Sequence, residues 1–261
     1  MTRTTDSQAE LSMDNLQDCS CPYSIWQDKK MFCYGIDAVL LAAFTRTKSR
    51  GKICDLCSGN GIIPLLLASR SEGLKIDCVE IQAKGCELIK KSIEHNALEG
   101  RLQVHNIDLN SSMDILEKNT YDIVTCNPPY QKIPQGNKMA DIKSNPTEKE
   151  IARHEIFCSL EDVIRTAAGL LKSNGKFYMI HRPERIAEIL VLFEKYKLGA
   201  RRIKAVQSRM ESDPVMILVE GEKCSGALVK MEAPLAIYGE DNAYTSQTRK
   251  MYSMAGAQIQ S

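Results

Sequence analysis

From residue 52 onward, short apolar runs alternate with stretches of helical period, and that alternation excludes most other ways of folding the chain. Residues 52–56, 75–81, 102–107, 121–126, 176–181, 202–206 and 215–219 read as seven strands. Between them, 62–70, 82–97, 160–171 and 183–196 read as helices. Runs this apolar suit strands buried on both faces, so the expectation is an α/β fold: a seven-stranded, mostly parallel sheet with helices on both faces. Ser173-Asn-Gly175 should end the helix before it, and Pro183 should open the helix that follows. Ahead of the first strand, Ile36, Val39, Leu40, Ala43 and Phe44 fall on one helical face, with Asp37 placed to serve the N-terminal turn. Residues 1–30 read as an N-terminal tail, 31–222 as the main domain, and 223–261 as a small C-terminal β appendage with a polar end.

Composition narrows the partners. The 261 residues carry a net charge of +1, so no global field draws this chain to nucleic acid and any basic surface must be local. No apolar run approaches a membrane span, and Met-Thr-Arg-Thr-Thr-Asp-Ser-Gln at the start lacks the apolar core of a signal peptide. Of ten cysteines, Cys33, Cys54, Cys57, Cys78, Cys126 and Cys158 lie in or beside apolar segments. They read as small core residues of a cytoplasmic protein. Cys54-Asp-Leu-Cys57 has redox or zinc spacing without a second pair, and the four histidines are scattered, so no metal is expected.

In sheets of this kind ligands bind at the carboxyl ends of the strands, and four motifs sit at such ends. Asp55-Leu-Cys-Ser58-Gly59-Asn60-Gly61 joins the first strand to the first helix. Its glycines let a ligand approach the backbone. A dinucleotide fingerprint needs a third glycine where Pro64 stands, so an adenosyl group without pyrophosphate suits the loop better. The bland alternative is a plain turn. Glu80-Ile81 ends the second strand, where a carboxylate can accept both hydroxyls of a ribose, or can simply be solvated. Asp108-Leu109 follows the third strand. That aspartate suits an adenine amino group, or a helix N-cap, or both.

The fourth motif, Asn127-Pro128-Pro129-Tyr130, follows Tyr121-Asp-Ile-Val-Thr-Cys126. Two prolines fix the backbone and remove donors. The corner therefore offers a side-chain oxygen, a free carbonyl and a flat ring, which suits a planar group bearing NH2. A proline-rich turn is the alternative. The long segment from Gln131 to Arg153 reads as a substrate-gripping loop. Lys132, Lys138 and Lys143 on it, with Arg201, Arg202, Lys204 and Arg209 near strand six, could form a phosphate-binding surface or be solvated charges.

In this order the motifs resemble class I methyltransferases that use S-adenosylmethionine (SAM), with their Rossmann-like sheet. The chain resembles most fully the bacterial adenine-N6 methyltransferases that act on valine tRNA beside the anticodon. Phe32-Cys-Tyr-Gly-Ile-Asp-Ala-Val-Leu-Leu41, Ala152-Arg-His-Glu155, His181-Arg-Pro-Glu184 and Asp213-Pro-Val-Met-Ile-Leu-Val-Glu220 share in it. The resemblance implies SAM contacts at Asp55, Gly59, Gly61, Glu80 and Asp108, target-base contacts at Asn127, Pro128 and Tyr130, and an antiparallel last pair of strands. Cys57 departs from the family, which has glycine there. The tetrad also occurs in guanine-N2 RNA methyltransferases and in enzymes that methylate the glutamine amide of proteins, and both stay open.

Overall fold

The computed structural model describes residues 11–31, 33–130, 157–226 and 228–258. Its centre is an eight-stranded sheet. Strands β3 (Arg50–Leu56), β4 (Gly73–Glu80) and β5 (Leu102–Asn106) run outward in one direction, joined by α2 (Ile62–Ala68) and α3 (Ala83–His95). The chain then passes through α4 (Ser112–Ile115) and crosses back, so that β6 (Tyr121–Cys126) pairs with β3 on its other side. This reversal at β3 and β6 leaves a crevice at the carboxyl ends of the two strands. All pairs from β5 to β7 (Leu171–His181) are parallel.

Both faces of the sheet are covered, as apolar runs without alternation require. Ile53 and Tyr178 face a layer with Leu40 of α1 (Ile36–Phe44), Leu66 and Ile89. Their chain neighbours Cys54 and Phe177 face a layer built from α5 (Leu160–Leu170) and α6 (Ile186–Lys195), with Ile164 and Phe193 at its centre. The far side of the sheet adds β8 (Leu198–Gln207) and β9 (Pro214–Lys223). β9 is antiparallel to both β7 and β8, as the resemblance implied.

Four expectations need correction. The sheet has an eighth strand, because β10 (Lys230–Ala236) pairs in parallel with β8 at the edge, Lys230 opposite Arg202. Residues 11–15 are not a loose tail: β1 (Leu11–Asn15) pairs antiparallel with β2 (Ser24–Asp28). That hairpin is held on α3 by Ser92 Oγ, which accepts from Trp26 N at 3.0 Å, and by Asn96 Oδ1, which accepts from Ser24 N at 2.9 Å. Ser173-Asn-Gly175 lies inside β7 as an excursion between two paired stretches, since Leu171 already pairs with Tyr121. Asn174 takes a left-handed φ of 62° there. Cys33 is exposed rather than a core residue.

The C-terminal segment ends in α7 (Ser246–Ala255), which packs on α1. Arg70, at the end of α2, is buried between them. It donates to the carbonyls of Thr45 at 2.6 Å and Ala255 at 2.9 Å, and also to that of Ala42. None of the helices among the described residues is long and apolar enough to cross a membrane.

Candidate active site

The loop from β3 to α2 is built on three left-handed residues, Cys57 (φ 57°), Gly59 (φ 57°) and Gly61 (φ 86°). Cys57 accepts a conformation that ordinarily favours glycine, at a cost of about 1–2 kcal/mol. Ser58 closes the turn: its N–H donates to Val79 O at 3.0 Å and its Oγ to Asp55 O at 2.9 Å. A Cβ on Gly59 would meet nothing within 4 Å, so the loop leaves open space at that backbone. At Gly61 a Cβ would stand 3.0 Å from Ile89. That glycine therefore serves close packing of the loop on α3, and it does not line the cavity.

Glu80, at the end of β4, is buried and bonds the loop directly. Its Oε2 accepts from Gly59 N at 2.8 Å and its Oε1 from Gln82 N at 2.8 Å. Burial pushes its pKa up, and these backbone donors pull the other way. Gly85 makes the approach of loop and strand end possible, because a Cβ there would stand 2.7 Å from Gly59 O. Asp55 lies beneath the loop, fully buried, and does not reach the cavity surface. Its Oδ1 accepts from Thr125 Oγ1 at 2.5 Å, its Oδ2 has no partner, and burial raises its pKa to about 7.

The loop and the end of β4 open, through Ser58, Gly59 and Glu80, on a cavity of about 520 Å³, within the usual range of about 300–1,000 Å³ for small-molecule sites. Ser58, Gly59, Asn60, Glu80, Ile81, Asp108 and Leu109 line it from one end, and Asn127, Pro128, Pro129 and Tyr130 from the other. Asp108 also caps a short helical turn, its Oδ1 accepting from Asn110 N at 2.8 Å. The N-terminal region supplies a wall through Met31, Tyr34 and Asp37. Gln27 of β2 braces it, its Oε1 accepting from Asn60 Nδ2 at 3.2 Å.

The tetrad sits where β6 ends. Asp37 Oδ2 accepts from Asn127 Nδ2 at 3.1 Å and from the Tyr130 hydroxyl at 2.9 Å. The same hydroxyl also lies within reach of Asn127 Oδ1, and its one proton serves one of these two oxygens at a time. The Tyr130 ring lies edge-on to His181, centroids 5.5 Å apart, and the Arg182 guanidinium is 5.6 Å from its centre. Burial pushes the Tyr130 hydroxyl pKa well up and the His181 pKa down to about 4. Sequence reasoning missed Asp37 as a site residue, treating it as part of a helix turn. The signal available was its place in a segment shared with the resembled family.

Two members of the expected basic cluster are engaged by acidic side chains and carbonyls. Arg202 is buried, paired with Glu220 and with Glu232 at 2.9 Å, and donates to Phe44 O at 2.9 Å. Lys204 donates to Ala233 O at 2.8 Å and lies 3.5 Å from Glu232. The Arg202 charge is used inside the sheet edge, which speaks against its reading as a phosphate contact, whereas Lys204 is half-buried at the same edge. Lys132, Lys138 and Lys143 lie outside the described residues, as does Arg153. Among the described residues no group of side chains could hold a metal ion.

Comparison with known proteins bears on the family and the fold. Residues 23–202 match the family model described as Methyltransferase small domain. A tRNA1(Val) (adenine(37)-N6)-methyltransferase of Trichodesmium erythraeum is 31% identical over 195 residues, covering 72% of this chain and 78% of that protein. One of Parabacteroides distasonis is 28% identical, covering 76% and 80%. Among solved structures, a predicted O-methyltransferase from Agrobacterium tumefaciens superposes with a TM-score of 0.67 at 24% identity, covering 86% of this chain and all of that one. Such a likeness carries the fold. The chain belongs to the methyltransferase small domain family, as a class I SAM-dependent methyltransferase grouped with the tRNA1(Val) (adenine(37)-N6)-methyltransferases.

Proposed function

We propose that this enzyme transfers a methyl group from SAM to the exocyclic N6 of an adenine in tRNA. The observation that carries the reading is one cavity that joins the glycine loop and Glu80 at one end to Asn127, Pro128 and Tyr130 at the other. The donor set fits an adenosyl group. Glu80 keeps lone pairs for ribose hydroxyls, and Asp108 accepts from an amino group. Ile81 and Leu109 would give its base apolar walls, and Gly59 leaves room where a side chain would stand.

When bound, SAM supplies a methyl carbon made electrophilic by its sulfonium. The target adenine leaves its stack and enters beside Tyr130. Stacking on that ring is worth about 1–3 kcal/mol. Asn127 Oδ1 and the Pro128 carbonyl accept the two amino hydrogens and aim the nitrogen lone pair along the line of attack. With the cofactor bound, its sulfonium would supply the methyl carbon and take the electron pair of the broken C–S bond, while Asn127 and Pro128 would hold the amine that forms the new N–C bond and then loses a proton to solvent. Most of the acceleration comes from positioning, for which effective molarities reach about 10⁵–10⁸ M.

The test is methyl transfer from labelled SAM to total bacterial RNA, followed by nucleoside digestion and mass spectrometry. Label in N6-methyladenosine of the tRNA fraction is the expected result. Label in N2-methylguanosine would move the substrate to guanine, and label only in protein would give the site to a glutamine amide.

A further inference from the structure

An asparagine that accepts from a substrate amine has a weakness. Its amide can rotate by half a turn and present NH2 where oxygen is needed, so something must choose. We propose that Asp37 is a positioning residue for methyl transfer, holding the Asn127 amide with its oxygen turned toward the substrate. The inference rests on the methyl-transfer reading above.

Three observations support it. The first is the bond itself: Asp37 Oδ2 accepts from Asn127 Nδ2 at 3.1 Å. An ionised carboxylate accepts and cannot donate, so the face of the amide toward Asp37 must be NH2 and the other face must be oxygen. Rotation would set two oxygens against each other. The second is that the Tyr130 hydroxyl stands within hydrogen-bond reach of Asp37 Oδ2, at 2.9 Å, and of Asn127 Oδ1; its single proton serves one oxygen at a time, and a second lone pair of Oδ1 is left for the substrate. One group thus holds both the acceptor and the stacking ring of the tetrad. The third is how firmly Asp37 is placed. It lies in the first turn of α1, a helix buried along most of its length, and Gly35 leaves space for it, since a Cβ there would stand 2.7 Å from Asp37 Oδ1.

The bond also affects the strength of the acceptor. Donation from Nδ2 to a charged partner polarises the amide and shifts electron density to Oδ1. The amino hydrogens of the substrate then meet a better acceptor than a solvated amide provides. The carboxylate has the sign that favours an amine becoming cationic as it is methylated.

A purely structural Asp37, serving only the helix N-terminus, predicts something different: lower thermal stability with an unchanged chemical step. The experiment compares Asp37→Ala and Asp37→Asn in the full chain. Single-turnover methylation, KM for RNA, SAM Kd and Tm are measured on the RNA that the wild type labels. Asp37→Ala should slow the chemical step about 10²-fold, the scale seen when one preorganised polar partner is removed. KM and SAM Kd should stay within about threefold. Asp37→Asn keeps an oxygen for Nδ2 and should recover part of the rate. A chemical step in Asp37→Ala within about threefold of wild type, whatever its Tm, overturns the proposal. Absence of methyl transfer by the wild type to any RNA or protein removes the reading beneath it, and is a separate outcome.

Discussion

The Glu80 carboxylate and the Gly59 amide meet at 2.8 Å across 21 residues of sequence, so the end of β4 fixes the backbone of the loop that follows β3. The second oxygen holds Gln82 N in the same way. Glu80→Gln replaces one acceptor oxygen with NH2 and turns it toward a backbone donor. A buried donor left unsatisfied costs about 1–3 kcal/mol. The expected outcome is a loss of stability of that size and SAM binding weakened by at least about tenfold, read by urea denaturation and calorimetry. Unchanged SAM affinity would separate the loop from the cofactor.

Asn127→Ala removes the side-chain oxygen of the tetrad. It should lower the chemical step by about 10²–10³-fold while SAM Kd stays near the wild-type value. Near-normal turnover in this variant would sink the mechanism.

Arg202 bridges Glu220, Glu232 and a carbonyl of α1. Removing one member of a buried ionic group leaves the others uncompensated, at about 3–5 kcal/mol. Arg202→Ala should therefore lower stability by that amount, with RNA affinity of the folded variant changed by less than about threefold. A stable protein with lost RNA binding would restore the phosphate-contact reading.

Two buried groups give opposite pH dependences. Asp55 has a folded pKa of about 7 against an ordinary 3.8, so between those values the folded state holds a proton that the unfolded chain lacks. Its contribution to stability falls as pH rises through that window. His181, lowered from 6.5 to about 4, does the reverse: its contribution is complete above 6.5 and is lost as pH falls toward 4. Asp55→Asn removes the first effect alone. The Tm of the variant minus that of wild type should rise steadily from about pH 4 to about pH 7. A flat difference in thermal melts across that window would show that Asp55 does not titrate as its burial implies.

The seven central strands were legible because continuous apolar runs leave few other places to go. β10 was read only as part of a separate β appendage and not as a strand of the sheet, because Lys230-Met-Glu-Ala-Pro-Leu-Ala236 carries charge and a proline that only an edge strand tolerates. Its register shifts between Glu232 and Leu235, on either side of that proline. Within the site, strand-end motifs were readable since turn residues mark the ends of strands. Gly59 and Gly61 looked equivalent, yet one leaves room at the loop backbone and the other makes room for Ile89. Arg202 misled for a related reason. Sequence shows its basic neighbours, whereas Glu220 and Glu232 come beside it only through pairing of β8 with β9 and β10. Asp37 and Asn127 are 90 residues apart, and nothing local joins them.

The clasp at Arg70 has a consequence for the order in which the molecule assembles. Its guanidinium finds acceptors in Ala42 and Thr45 nearby, but also in Ala255, 185 residues later. While the chain is being synthesised, the end of α2 must wait, with a cation facing apolar surface, until α7 has been made. Contacts of such long range are formed late and slowly. The last helix among the described residues thus backs, through Arg70, the α1 that walls the cofactor cavity.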